Sequence, residues 1–272
     1  MKEIKFTKLV ASGNDFVLVD SRKNKVAKWS SGQVVKWPDF AKKVCRQKLG
    51  VSADGLLVLE DSNKADVKMR IINPDGSEVT MCGNGSRCVA LYCGKRIIKI
   101  ETGAGILRAE LKGKNIAKVR MTDPKDLKIN LSITLKGKKY HVHHINTGVP
   151  HVIMFVDNID NFDVKGMGRE IRYHKAFRPK GANADFVKFI NKRSLYIRTY
   201  ERGVEDETLA CGTGACASAI MASLLKSAIS PVSVRTKSGE VLKIYFDKEK
   251  KSVKNVCLEG EAKKVYEGKI DY

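Results

Sequence analysis

Two cysteine-glycine stretches, Cys82-Gly83-Asn84-Gly85 and Cys211-Gly212-Thr213-Gly214, decide the fold predicted for this chain. Each is followed by residues of helical character: Arg87 to Cys93 after the first, and Ala215 to Leu225 after the second. Gly94 ends the first helix, and Lys226 lies at the end of the second, where a cation suits the helix dipole. Because one short pattern occurs twice in similar surroundings, the sequence predicts an internal duplication.

Three further landmarks recur in the same order around the cysteine stretches. They are a glycine turn followed by an apolar strand that ends in aspartate, an Ala-Asp pair ahead of strand-like residues, and a strand that ends in a turn. In the first half the three landmarks are Gly13 to Asp20, Ala53-Asp54 and Ile97 to Glu101. In the second half they are Gly148 to Asp157, Ala184-Asp185 and Val232 to Arg235. The repeated order indicates two homologous halves joined near Asp123 to Asn130, where Pro124 would interrupt a regular element.

Composition limits the class of protein. The 272 residues are 43% apolar, which is enough for one or two hydrophobic cores. The longest stretch without charge, Thr208 to Leu225, is shorter than the roughly 20 residues of a bilayer-spanning helix, so we expect no membrane association. The formal net charge of +21 raises nucleic-acid binding as an alternative. Because lysines are spread along the chain and aromatic residues are few, we expect no nucleic-acid partner.

The cysteines and the N-terminus indicate a cytoplasmic protein with reduced thiols. Met1-Lys2-Glu3-Ile4 lacks the apolar segment of a secretory signal, and seven cysteines form no obvious disulfide framework. No nucleotide-binding loop or flavin motif is recognisable, so we expect no cofactor. We also expect no metal, because Cys82, Cys88 and Cys93 lack the close spacing of structural zinc sites.

A cysteine that opens a glycine-rich turn before a helix should lie beside free backbone N–H groups and the positive end of the helix dipole, which is expected to lower a thiol pKa. The same N–H groups, at Gly83-Asn84 and Gly212-Thr213, are suited to holding a carboxylate. Inverting a stereocentre requires a proton to leave one face of a carbon and another to arrive at the opposite face. Two duplicated thiols therefore predict a cofactor-independent racemase or epimerase whose small-molecule substrate is an amino acid. Taken singly, each cysteine is also compatible with a structural role.

Several long motifs together resemble the diaminopimelate epimerase family over almost the whole chain. They are Gly13 to Phe16, Asn73 to Glu78, Cys82 to Arg87, Glu201 to Gly203 and Thr208 to Ala215. The resemblance implies an α/β (α+β) fold of two pseudo-symmetric domains, each a mostly antiparallel sheet wrapped around a central helix. Residues 1–122 with 261–272 would form the first domain and residues 123–260 the second. The implied reaction interconverts L,L- and meso-2,6-diaminopimelate, on the route to lysine and peptidoglycan.

The resemblance also assigns residues to roles. Cys82 and Cys211 match the catalytic pair, and His151 and Glu201 match polar groups that support the cysteines. The residues that match substrate-binding positions are Asn14, Asn73, Gly83, Asn84, Asn183, Glu201, Arg202, Gly212 and Thr213. The arginine can offer a carboxylate bidentate hydrogen bonds.

Two departures from the family pattern bear on the substrate. Val149 stands where many relatives have asparagine, and Gly55 stands where some have glutamine, so a polar contact to the distal end of the substrate is in doubt. A racemase of another amino acid in the same fold, such as histidine, therefore remains an alternative, with a basic nucleic-acid-binding protein as a more distant one. The sequence is compatible with a homodimer.

Overall fold

The structure is a computed structural model that describes residues 3–24, 35–249 and 252–271. Met1 and Lys2, on which the expectation of no secretory signal partly rests, lie outside the described residues. The chain divides into two compact units: unit 1 comprises Met1–Val119 and Glu261–Tyr272, and unit 2 comprises Arg120–Gly260.

Among the described residues, the first part of unit 1 contains eight strands and three helices. The elements are β1 (Glu3–Ala11), β2 (Asn14–Asp20), α1 (Ser21–Asn24), α2 (Trp37–Val44), β3 (Gly55–Glu60), β4 (Val67–Ile72), β5 (Glu78–Val79), α3 (Gly83–Cys93), β6 (Ile97–Thr102), β7 (Gly105–Lys112) and β8 (Ile116–Arg120), the last of which ends at the junction of the units.

Unit 2 has a similar order from the three strands before its cysteine-bearing helix onward. Its elements are β9 (Lys125–Leu135), β10 (Lys138–Asn146), β11 (Pro150–Phe155), α4 (Val164–Tyr173), β12 (Asn183–Asn191), β13 (Ser194–Glu201), β14 (Asp206–Thr208), α5 (Gly212–Leu225), β15 (Val232–Arg235), β16 (Val241–Lys248) and β17 (Val253–Glu261). The last strand, β18 (Lys263–Asp271), belongs to unit 1, where it pairs antiparallel with β1. Most of the segment predicted as a joint is strand β9, which begins directly after Pro124.

The strand pairings of the two units correspond one to one. In unit 1, β2 runs parallel to β3, β3 antiparallel to β4, and β4 parallel to β6 across the intervening α3. In unit 2, β11 runs parallel to β12, β12 antiparallel to β13, and β13 parallel to β15 across α5. Most of the other pairings are antiparallel, including β1–β2, β6–β7, β10–β11 and β15–β16. The predicted fold class, with its internal duplication and mostly antiparallel sheets, is confirmed.

The helix that carries each cysteine begins earlier than the sequence indicated. Helix α3 starts at Gly83 and α5 at Gly212. From the sequence, the two helices were expected to begin at Arg87 and Ala215. Glycine has a low helix propensity, so propensity alone reads both segments as turns. Burial overrides it, because α5 is made of small and apolar residues that are almost all inaccessible to solvent.

Alternation along the strands of unit 2 separates two layers of side chains. Val152, Ala184 and Phe186 belong to a core cluster with residues of α4. Successive side chains of a strand point to opposite faces of the sheet. His151, next to Val152, and Asp185, between Ala184 and Phe186, therefore point away from α4. This places polar side chains of β11 and β12 on the face toward α5. Among the described residues, no helix is long and apolar enough to cross a membrane.

Candidate active site

In unit 1, Cys82 is the N-cap residue of α3. Its backbone is extended, with φ of −146° and ψ of 117°, and its Sγ accepts a hydrogen bond of 3.4 Å from the backbone N–H of Gly85. The carbonyl of Cys82 accepts from both the backbone N–H and the hydroxyl of Ser86. The half-buried thiol is thereby held at the positive end of the helix.

The first turn of α3 is supported by a buried arginine. Arg87 is completely buried, and its Nη2 donates to Asn84 Oδ1 at 2.5 Å and to the hydroxyl of Ser12 at 2.9 Å. Its Nη1 donates to the carbonyl of Glu261 at 2.9 Å. Since the guanidinium donates to the carbonyl oxygen of Asn84, the orientation of that amide is fixed.

The strand register of unit 1 brings Asn14 and Asn73 to one edge of the sheet. Asn14 lies two residues before Phe16, which is paired with Gly55, and Asn73 follows Ile72, which is paired with Leu56. The amide of Asn14 donates to Asp54 Oδ2 at 2.8 Å. The amide of Asn73 donates to the hydroxyl of Ser77 at 2.9 Å. Both predicted binding residues thus have fixed orientations at this edge.

In unit 2, Cys211 takes the place that Cys82 has in unit 1. It is the N-cap residue of α5, with extended backbone angles of −123° and 112°, and its carbonyl accepts from the N–H of Ala215. Its Sγ lies 3.4 Å from the hydroxyl of Thr213, and that residue's carbonyl accepts from the hydroxyl of Thr147 at 2.9 Å. Cys211 is only 5% exposed.

A buried histidine connects this thiol to the sheet. His151 is fully buried, and its Nε2 lies 2.9 Å from the hydroxyl of Thr213. Its Nδ1–H donates to Asp185 Oδ2 at 2.7 Å, and the other carboxylate oxygen accepts from the hydroxyl of Thr199, also at 2.7 Å. The contacts form one unbroken chain from Cys211 through Thr213 and His151 to Asp185.

The remaining predicted residues of unit 2 lie beside this chain. Asn183 Oδ1 accepts from the backbone N–H of Arg202 at 2.7 Å, and its amide nitrogen lies 3.3 Å from His151 Nε2. Glu201 Oε2 accepts from the hydroxyl of Thr208 at 3.0 Å. The guanidinium of Arg202 reaches the carbonyl of Lys180 at 3.5 Å. The structure therefore brings His151 and Asn183 together beside Thr213 at the start of α5, and the backbone of Arg202 contacts Asn183.

The expectation of a lowered thiol pKa is wrong for Cys211. Burial raises its pKa well above the ordinary value, and the negative charges of Glu201 and Asp185 raise it further. Hydrogen bonds from Thr213 and from the backbone N–H of Gly214 oppose this effect without overcoming it. The position at a helix N-terminus could be read from the sequence, but the two acids beside it depend on strand register.

Gly214 leaves room for the buried carboxylate. A Cβ built at this position would lie 2.4 Å from Asp185 Oδ1, so alanine would displace the carboxylate or the helix start. We expect Gly214→Ala to lower kcat/KM about 10- to 100-fold, because a displacement of about 1 Å at a catalytic group has this effect. The steady-state rate of the purified variant, in the epimerisation that the family resemblance implies, measures it.

Gly85, at the corresponding position of α3, offers the matched control. A Cβ there would come closest to the tip of the Leu57 side chain, at 3.1 Å, and would lie at an ordinary contact distance of 3.6 Å from Cys82 Cβ. Gly85→Ala is expected to lower activity no more than about three-fold, since a side-chain tip can shift. Equal losses in the two variants would show that the space beside Asp185 has no special role.

Arg87, Asp185 and Thr199 belong to these networks and were not singled out from the sequence as site residues. The sequence held a signal for the first two. Arg87 is the only charged residue in α3, and Asp185 interrupts the apolar run of β12. A charge within an otherwise buried element requires a partner, so such positions are candidates for polar networks.

Each unit thus presents a thiol at the start of a central helix, next to backbone N–H groups suited to an anion. Solved structures share the fold. A PhzF-family phenazine biosynthesis protein from Bacillus anthracis superposes with a TM-score of 0.74 at 19% identity, over 100% of both chains. A hydroxyproline epimerase from Agrobacterium vitis gives 0.69 at 13% identity, over 99% of this chain and 91% of its own. The fold class is therefore one that includes amino-acid epimerases.

Sequence comparison identifies the family within this class. The diaminopimelate epimerase model matches residues 6–127 and 143–265. The diaminopimelate epimerase of Aquifex aeolicus is 42% identical over 98% of both chains, and that of Methanocella arvoryzae is 42% identical over 100% of this chain and 98% of its own. The chain belongs to the diaminopimelate epimerase family. The predicted family is confirmed, and neither alternative function is favoured.

Proposed function

We propose that this protein catalyses the cofactor-independent epimerisation of L,L-2,6-diaminopimelate to meso-2,6-diaminopimelate, a reaction that supplies lysine and peptidoglycan precursors. The observation that carries the proposal is the duplicated placement of Cys82 and Cys211. Each is the N-cap residue of the central helix of its unit, and each lies in a stretch that the family model matches.

In the proposed reaction, one cysteine acts as a thiolate base and the other as a thiol acid on the same α-carbon. The thiolate removes the α-proton, and the electron pair of the broken C–H bond delocalises into the substrate carboxylate. The thiol then delivers a proton to the opposite face. Charge that develops on the carboxylate is stabilised by N–H groups oriented before the reaction, which we assign to Gly83, Asn84, Gly212 and Thr213.

The distal end of the substrate carries a second ammonium and a second carboxylate. We assign its recognition to Asn14, Asn73, Asn183, Glu201 and Arg202. Glu201 supplies negative charge for the ammonium, and Arg202 supplies a guanidinium for the carboxylate. His151 and Glu201 are also assigned as supporting groups that tune the protonation of the thiols.

The remaining parts of the proposal concern the whole chain. We propose that the two units are the two domains of the enzyme, with their boundary between Val119 and Asp123. We expect the enzyme to work in the cytoplasm, where thiols stay reduced, as a monomer or homodimer. No nucleic-acid partner is part of the proposal.

The test is to incubate the protein with L,L-diaminopimelate in deuterated water and to follow the α-carbon signals and the formation of the meso isomer. We expect early product to carry deuterium while the remaining substrate keeps its α-proton, since removal and return use different groups. Activity should persist with a chelator and with hydroxylamine, which would inactivate metal or pyridoxal chemistry. L-histidine and other amino acids form the comparison panel.

Absence of both exchange and inversion with L,L-diaminopimelate would refute the proposal. If the protein inverts a different amino acid and not L,L-diaminopimelate, the assignment moves to another racemase of the same fold. Deuterium appearing equally in substrate and product from the start would contradict the use of two separate bases.

A further inference from the structure

The hydrogen-bond chain in unit 2 has a fixed direction. The amide of Asn183 is oriented by Arg202, whose backbone N–H donates to its Oδ1, so Nδ2 is the atom that faces His151 Nε2. Since Asp185 accepts from Nδ1–H, the lone pair of the neutral imidazole lies at Nε2. That lone pair faces the hydroxyl of Thr213 at 2.9 Å.

The surroundings of Cys211 make ionisation of its thiol alone unfavourable. Among the described residues, the charges that act on this thiol are Glu201 on β13 and Asp185 on β12, and the titratable group reached through the Thr213 hydroxyl is His151 on β11. On the other side of β11, the residue of β10 paired with His151 is the apolar Ile145. Two negative groups and nearly complete burial therefore oppose a thiolate, and His151 is the only basic group in this set.

We propose that Cys211 ionises through a proton relay, and that Asp185 is the positioning residue that makes His151 its acceptor. The inference rests on the proposed function, within which Cys211 must serve as a base. The proposal is supported by the unbroken contacts from Cys211 Sγ to Thr213, from Thr213 to His151, and from His151 to the Asp185 carboxylate. Thr199 holds the second carboxylate oxygen and so fixes the plane of Asp185.

The relay conserves protons and charge. The S–H bond of Cys211 breaks as its proton passes to the Thr213 oxygen, and the hydroxyl proton of Thr213 passes to His151 Nε2. The products are a thiolate and an imidazolium, with Thr213 restored to a neutral hydroxyl. The imidazolium lies against the Asp185 carboxylate at 2.7 Å, which stabilises the new positive charge.

The Asp185→Asn variant tests whether Asp185 acts on Cys211 through His151 or directly as a negative charge. The two possibilities predict opposite shifts of the pH at which Cys211 forms its thiolate. Acting through His151, Asp185→Asn should raise the pH at which Cys211 forms its thiolate by about one unit, because the imidazolium loses its anionic partner. Thr199 would also direct the new amide nitrogen toward His151, favouring the tautomer whose Nε2 is already protonated. Acting only as a negative charge near sulfur, Asp185 would on removal lower that pH.

The measurement is the initial rate of iodoacetamide labelling of Cys211 between pH 6 and 10, read by peptide mass spectrometry on the full-length protein. This range brackets the ordinary cysteine pKa of about 8.5. Glu201→Gln is the matched control, since it removes a negative charge that raises the pKa of Cys211, and it should lower the midpoint. Labelling of Cys82 in the same digests reports whether a substitution disturbs the protein outside unit 2. The pH midpoint of Cys82 labelling should not change.

A second pair of variants tests the relay if Asp185→Asn does not fold. Thr213→Val keeps the shape and removes the hydroxyl, so it should raise the Cys211 midpoint, whereas Thr213→Ser should restore it. A midpoint that falls or stays constant in Asp185→Asn, or that is equal in the two Thr213 variants, would overturn the proposal. Labelling requires no substrate, so this failure is distinguishable from a failure to epimerise L,L-diaminopimelate.

Discussion

Replacement of either Cys82 or Cys211 by alanine is expected to lower the rate of inversion of L,L-diaminopimelate by about 10³-fold or more, because each removes one partner of an obligatory acid/base pair. Neither loss should be explained by unfolding. Both residues lie at N-cap positions where the backbone contacts, from Ser86 and Ala215 to the cysteine carbonyls, do not depend on the thiols.

The two variants should differ from a fully inactive protein in a specific way. Each keeps one thiol and should therefore still exchange the α-proton of one isomer with solvent, without inverting it. Proton exchange by ¹H NMR and meso formation by chiral chromatography measure the two processes separately. Cys93→Ala, at the last residue of the same helix as Cys82, is the control and should stay within about two-fold of the native rate. A single-cysteine variant that still inverts the substrate would contradict the two-base assignment.

The duplicated architecture could be predicted from sequence because its signals are local. Glycine turns, alternating strands and the two cysteine stretches each depend on neighbouring residues, and their order revealed the repeat. The strand Val232–Arg235 occupies the predicted residues, and the predicted strand from Ile97 extends by one residue to Thr102. The helix starts were misplaced because glycine in a first turn gives no helical signal.

The charged networks could not be predicted, because they depend on which residues the register brings together. Ala53-Asp54 and Ala184-Asp185 look alike in sequence. In the structure Asp54 lies just before β3, where it accepts from Asn14, whereas Asp185 lies inside β12 against His151. The same residue type therefore orients a predicted binding residue in one unit and a buried histidine in the other. The roles assigned to these site residues stay predictions.

The largest effect on stability is expected from Arg87→Met, which should lower the free energy of unfolding by about 3 to 5 kcal/mol, since each buried polar group left without a partner costs about 1 to 3 kcal/mol. Methionine has a similar length but cannot donate to Asn84, Ser12 and the carbonyl of Glu261, so three polar groups lose their partner. Because Ser12 lies between β1 and β2 and Glu261 precedes β18, the substitution weakens the attachment of α3 to both ends of the unit 1 chain. Urea denaturation of the purified variant measures the loss.

Two further variants separate the geometry of Arg87 from its charge. Arg87→Lys keeps the positive charge but lacks the planar set of donors, so it should recover only part of the stability. Arg108→Met, on an exposed strand position of the same unit, should change stability by no more than about 0.5 kcal/mol. Full recovery with lysine would mean that charge alone is required. A partial recovery with a persistent loss of kcat/KM would mean that the guanidinium also orients Asn84, since the ammonium of lysine cannot hold the amide and both chain ends at once.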